Sequence, residues 1–313
     1  MNRTISHSDE VRHSYERLLE MASIPSRHVQ LDTGEQVHVL EAGDGPPLVL
    51  LHGSGVAAWF FLPLLRELNG LRVIAPDRPT QGLSDPIDLP RAGYHEALIG
   101  WLDRLFDALE LDSVALLGHS AGGVLALRYA LAHPSRVERL VLIGPPSLPK
   151  TSCPLPYRLM ATPGMGELTS RLVPPSPKSM LRFAKFMGEE ETLATHPQLL
   201  DIFVATANDE LAGSGTTTEV RELVSPFALL SPYGFRHRTR VRPDELSRLT
   251  MPTLLAWGER EPLGDGTVAQ AATSLMPRGH LEMLPGGHAP WLGHPTETAT
   301  AISEFVSQER TQA

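Results

Sequence analysis

Short apolar runs alternating with stretches of helical period set the organisation of this chain. Residues 9–22, DEVRHSYERLLEMA, place Val11, Tyr15, Leu18, Leu19 and Ala22 at spacings of three and four, the stripe of an amphipathic helix that Pro25 stops. Alternation at 28–31 and 36–40 around Asp32, Thr33 and Gly34 reads as a β-hairpin. After a turn at 43–47 come strands at 48–51, 72–76 and 139–144, rich in apolar residues. The continuous apolar run at 114–117 has the pattern of a strand covered on both faces. Trp59 to Leu62 should start a helix, and helical periods follow at about 94–110 and after residue 120 (Val124, Leu125, Leu127, Ala130, Leu131). From about 145 to 246 no buried strand is legible. Proline clusters and large apolar side chains (Met160, Met165, Met180, Phe183, Phe186, Met187, Phe203, Phe227) mark short helices there. Most of these side chains should form that segment's own core, and a few should face a pocket. Strands at 252–258 and 280–285 and helices near 267–276 and 295–308 resume the alternation.

This order predicts an α/β fold: a mostly parallel, doubly wound sheet of about eight strands, with right-handed crossovers and helices on both faces. The organisation reads as a leader helix within 1–26, a core assembled from 27–145 and 246–313, and a helical insertion over 146–245.

Composition narrows the partners. The 313 residues are 42% hydrophobic, enough for a sizeable core. Thirty-six acidic against 27 basic side chains give a formal charge of −9, which argues against nucleic acid or an anionic membrane and for a small neutral or apolar molecule. No signal-like segment and no run of membrane-spanning length is present, so a cytoplasmic protein is expected. Cys153 is the single cysteine and the thirteen histidines show no paired ligand spacing, so neither a disulfide, a metal nor a cofactor is expected.

The candidate chemistry sits where the period changes. Gly118, Ser120 and Gly122 form GxSxG between an apolar strand and a helix, the nucleophile-elbow pattern, with glycines where a strand must turn into a helix within one residue. A serine hydroxyl is a weak nucleophile at neutral pH and needs a base oriented by a carboxylate. His288, in LPGGHAPW after the strand at 280–285, stands where the base should be. The loop WGEREPLGD after the strand at 252–258 offers Glu259, Glu261 and Asp265 as the acid. His119, Asp85 and His294 lie near these motifs and are not expected to be catalysts.

With WG at 257–258 followed by an acid and Pro262, HGSG at 52–55, and DRPTQGLSDP at 77–86, the chain from about 27 to 309 resembles the α/β-hydrolase superfamily. The resemblance implies that Glu261 is the acid, a methylene longer than the usual aspartate, with Asp265 as the alternative. It implies an oxyanion hole from the backbone amides of Ser54 and Ala121, the helical insertion as a cap, and Asp77 and Arg78 as a structural pair. A serine at 120 argues against the epoxide-hydrolase and haloalkane-dehalogenase branches, which carry aspartate there. The expected function is a serine hydrolase cleaving a carboxylic ester or related acyl bond of a small to medium, partly apolar substrate through an acyl-enzyme. Carbon-carbon bond hydrolases, lactonases, perhydrolases and thioesterases use the same triad, and non-hydrolytic ligand-binding or biosynthetic members share the fold.

Overall fold

The computed structural model describes residues 9–308 except 90–92, 147, 161, 163–164, 166–167, 169–171, 213–229, 232 and 236–239. Among them, strands run in chain order β1 (Ser26–Gln30), β2 (Gln36–Ala42), β3 (Pro47–Leu51), β4 (Arg72–Pro76), β5 (Val114–His119), β6 (Val137–Ile143), β7 (Leu230–Ser231), β8 (Gly234–Phe235), β9 (Thr253–Gly258) and β10 (Gly279–Leu284). Eight form one sheet, β1-β2-β4-β3-β5-β6-β9-β10. Only β1–β2 and β2–β4 are antiparallel. The expected mostly parallel sheet is therefore the observed one.

The continuous apolar runs have a direct cause in this sheet. Alternate residues of one strand feed two different cores. Leu48, Leu50, Leu117, Val141, Ile143, Leu254 and Ala256 pack on one face with α1 (Asp9–Ala22), α2 (Leu62–Leu65) and residues near the C-terminus. Val49, Leu51, Leu116, Leu140, Leu142, Leu255 and Trp257 pack on the other with α3 (Tyr94–Ala108) and α4 (Ala121–Ala132). Each such side chain removed fully from water contributes about 1.5–3 kcal/mol before entropy is counted.

Between β6 and β9 the chain leaves the sheet as α5 (Leu155–Met160), α6 (Pro177–Phe186), α7 (Glu190–Ala194) and α8 (Pro197–Ala212), followed by the β7–β8 hairpin, which the sequence did not reveal. Phe227 lies outside the described residues. Two other elements differ from expectation. The helix expected from Trp59 begins as a 3-10 turn over Ala58–Phe61 and becomes α2 for a single turn. α1, expected only as an amphipathic leader helix, packs against α8, and its Tyr15 hydroxyl donates to Asp77 Oδ1 at 3.0 Å. Among the described residues no helix is long and apolar enough to cross a membrane, and no three His, Cys, Asp or Glu are grouped as metal ligands.

Candidate active site

Strand order and register bring the first two motifs together. β3 lies between β4 and β5, so the chain turns to opposite sides of β3 and opens a crevice at the carboxyl ends of β3 and β5, the usual ligand position in such sheets. Leu51 pairs with Gly118, which carries the HGSG loop and the elbow out side by side. Ser120 sits at the tip with φ 52° and ψ −122°, a strained backbone for a residue with a Cβ, worth about 1–3 kcal/mol. Its neighbours explain why the strain persists. A Cβ at Gly118 would stand 2.4 Å from the Gly122 carbonyl oxygen, and one at Gly122 would stand 2.1 Å from that of Leu51. Ser120 N donates to Ile143 O at 2.9 Å, and Ser120 O accepts from the Gly123 and Val124 amides, which pins the turn at both ends. Ala121 opens α4, where the first helical amides have no partner within the helix.

β9 and β10 deliver the next two residues. His288 is 7% exposed and its Nδ1 lies 2.9 Å from both carboxylate oxygens of Glu261, which is equally buried. The Leu263 amide also donates to Glu261 Oε1. Room for the long glutamate comes from Gly144 at the end of β6. With φ 52°, its missing Cβ would stand 2.6 Å from Glu261 Oε2 and 2.8 Å from His288 Nδ1. Asp265 is elsewhere: it is exposed and caps the helix over Gly266–Thr273 by accepting from the Thr267 amide at 3.0 Å. Glu259 is exposed as well.

His119 is buried at the floor of the site, and burial first, then the neighbouring His288, push its pKa well below the ordinary value. It stays neutral, with Nε2 3.1 Å from the His288 carbonyl oxygen. His294 approaches Glu297 at 3.6 Å, and Asp85 accepts from the Gln36 amide.

Beneath the crevice, Asp77 and Arg78 occupy buried positions but do not pair with each other. Asp77 gathers the Tyr15 hydroxyl, His38 Nδ1 and the amides of Ala58 and Leu83. Burial would raise its carboxyl, but His38 foremost among these partners holds it below the ordinary value. Arg78 faces the other way, donating through Nη2 to Gly53 O at 2.9 Å and to Gln81 Oε1 at 2.8 Å. Successive residues leaving a strand point to opposite sides, which is why neighbours in sequence are not partners here.

One residue of the site escaped sequence reading. Glu189, between α6 and α7, is 2% exposed and reaches the His288 loop. Its Oε1 accepts from the Gly287 amide at 2.7 Å and from the Ala289 amide at 3.2 Å, while the His288 amide donates to Met187 O at 2.9 Å. Burial raises the Glu189 carboxyl despite these bonds. The contact is close because it is made by glycines: a Cβ at Gly287 would stand 2.0 Å from Met187 O, and one at Gly188 would stand 2.9 Å from Gly287 Cα.

These elements enclose a cavity of about 130 Å³ lined by Gly53, Ser54, His119, Ser120, Ala121 and His288 below and by residues of the insertion above. Of the large apolar side chains singled out in the sequence, Phe183, Met187 and Phe203 reach it. Phe203 stacks with Phe60 at 6.3 Å between ring centroids. No lysine or arginine is among the described lining residues.

Residues 46–295 match the family model of the alpha/beta hydrolase fold. The chain belongs to this family. Among curated members, this alpha/beta hydrolase is 30% identical over 284 residues to a pimeloyl-[acyl-carrier protein] methyl ester esterase of Shewanella sp. (strain MR-7), spanning 87% of this chain and 95% of that protein. It is 31% identical over 235 residues to a 2-hydroxy-6-oxononadienedioate/2-hydroxy-6-oxononatrienedioate hydrolase of Cupriavidus pinatubonensis, 72% of this chain and 75% of that one. The fold also matches the crystal structure of naproxen esterase from Bacillus subtilis, with a TM-score of 0.74 at 22% identity over 96% of this chain and 98% of that one.

Proposed function

We propose that this alpha/beta hydrolase is a serine esterase for small, uncharged, largely apolar carboxylic esters. In this reading Ser120 attacks the ester carbonyl, and His288 takes its proton and returns it to the leaving alcohol. Glu261 holds the imidazole and stabilises the imidazolium. The amides of Ser54 and Ala121 receive the oxyanion, one such donor being worth about 3 kcal/mol of barrier. Water then releases the acyl group. The core of 27–145 and 246–313 carries this chemistry and the insertion over 146–245 serves as the cap that selects the acyl chain.

The observation that carries the proposal is the lining: Ser120 and His288 open onto an apolar cavity in which no described residue is a lysine or arginine. The name of the Cupriavidus relative's substrate is that of a dicarboxylic acid, and two carboxylates would find no cation among the described lining residues. The family resemblance to the Shewanella ester hydrolase therefore fits the lining better than the resemblance to the dienedioate hydrolase. The test uses a series of p-nitrophenyl esters and a serine-reactive fluorophosphonate. Wild-type protein should be labelled and turn over the short, neutral esters, and Ser120→Ala should do neither. Labelling that persists in Ser120→Ala would remove the serine from its role.

A further inference from the structure

The Gly53–Ser54 peptide is gripped from behind. Its carbonyl oxygen accepts two buried donors, Arg78 Nη2 at 2.9 Å and His52 Nδ1 at 2.8 Å. The tautomer of His52 follows from its other nitrogen: Nε2 accepts the Arg78 backbone amide at 2.9 Å, so the ring hydrogen is on Nδ1 and points at Gly53 O. Burial, with the Arg78 cation beside it, pushes the His52 pKa down to about 3, so the ring remains a neutral donor.

The peptide is trans and planar, so the Ser54 N–H points away from the Gly53 carbonyl. The carbonyl faces Arg78 and His52 in the protein interior, and Gly53 and Ser54 both line the cavity, so the N–H faces the cavity. It donates to no described group.

Packing alone does not explain the arginine. Arg78 is 4% exposed, and the acceptors on its guanidinium are a carbonyl and an amide oxygen, both neutral. Its Nε, like Thr80 Oγ1 and Gln81 Nε2 beside it in the loop, is buried without a partner. A buried cation with no carboxylate on it is an expensive feature that an apolar side chain of similar size would avoid. In a low-dielectric interior its field falls on the group it touches.

We propose that Arg78, assisted by His52, polarises the Gly53–Ser54 peptide so that the Ser54 N–H binds the developing oxyanion more strongly, which makes Arg78 a positioning residue of the reaction. The proposal rests on the reading of Ser120 as nucleophile and the Ser54 amide as oxyanion donor. The interaction grows as negative charge appears on the far side of the peptide, so it belongs to the transition state and not to substrate binding.

The test compares wild type, Arg78→Met and Arg78→Lys for kcat and KM on p-nitrophenyl butyrate. It also compares inhibition by a trifluoromethyl ketone, which forms an anionic adduct on the serine, with that by the matching secondary alcohol, which cannot. Arg78→Met should lower kcat roughly 10- to 100-fold, less than deleting a whole donor, and weaken the trifluoromethyl ketone by a similar factor. KM and the alcohol's affinity should stay within about twofold, and the charge in Arg78→Lys should restore most of the loss. Unchanged kcat in folded Arg78→Met, or kcat, KM and both inhibitors moving together, overturns the proposal. Should Arg78→Met not fold, carbonyl ¹³C and amide NMR of the wild type decides. A Gly53 carbonyl shifted downfield, with a Ser54 amide proton that moves downfield on forming the adduct, supports the proposal, and an unshifted Gly53 carbonyl overturns it. Wild-type protein that neither fluorophosphonate nor trifluoromethyl ketone modifies overturns the nucleophile reading underneath. That outcome is distinct from a labelled enzyme indifferent to Arg78.

Discussion

At the scale of single residues, the glutamate proposed as the acid is matched by a glycine opposite it. Gly144 leaves open the space that the carboxylate of Glu261 and the ring of His288 occupy. Glu261→Gln should lower kcat/KM by roughly 10³–10⁴-fold by removing the charge and the preference for one imidazole tautomer. Asp265→Asn should leave it unchanged, since asparagine also caps a helix and Asp265 faces solvent. Steady-state kinetics on one p-nitrophenyl ester checks both, and the opposite ranking would move the acid to Asp265. The position of Ser120 was legible because it is local, a change of period and a glycine pattern specifying where the residue stands, whereas Ser54 and Ala121 were singled out through the resemblance of the HGSG motif. Asp77 and Arg78 were read as a pair, and their real partners were not legible, because partners are fixed by what folds over the loop from residues 15, 38 and 53.

At the scale of elements, the central strands were legible because a parallel strand buried on both faces writes itself as an apolar run, and β1 and β2 through alternation around a turn. The insertion was legible only as helical. Apart from α8, its helices carry too few turns to fix their orientation, and the β7–β8 pair is too short to show any alternation. Glu189 was hidden for this reason: a glutamate beside the N-terminus of a short helix reads as solvated until the His288 loop closes over it. Its raised pKa gives a signed prediction. The fold prefers the protonated carboxyl, so this group's contribution to stability is full below the ordinary value of 4.5 and is lost as pH rises through the higher folded value. Glu189→Gln, which can still accept from the Gly287 and Ala289 amides, should therefore gain Tm relative to wild type as pH rises from about 4.5 to 7.5. Thermal melts across that range check this, and a difference that shrinks with pH would contradict it.

At the scale of the whole molecule, the cavity is a joint product of the sheet and the insertion, and its selectivity should be divided between them. Phe203→Ala removes the ring that stacks on Phe60 in the wall of the cavity. It should move the preferred p-nitrophenyl ester to an acyl chain two or more carbons longer, with kcat for the short esters changed by less than about threefold. A chain-length profile measured on both proteins checks the shift, and a uniform loss across the series would show that the ring serves packing alone. The glycine contact between Met187–Glu189 and Gly287 has a further bearing on how such enzymes can be recombined. A helical insertion grafted from a relative would meet the histidine loop across a gap with no room for a single methyl group. Grafts that exchange residues 187–189 and 286–289 together should outperform those cut between them, so the natural unit of exchange in this fold crosses the boundary between its two parts.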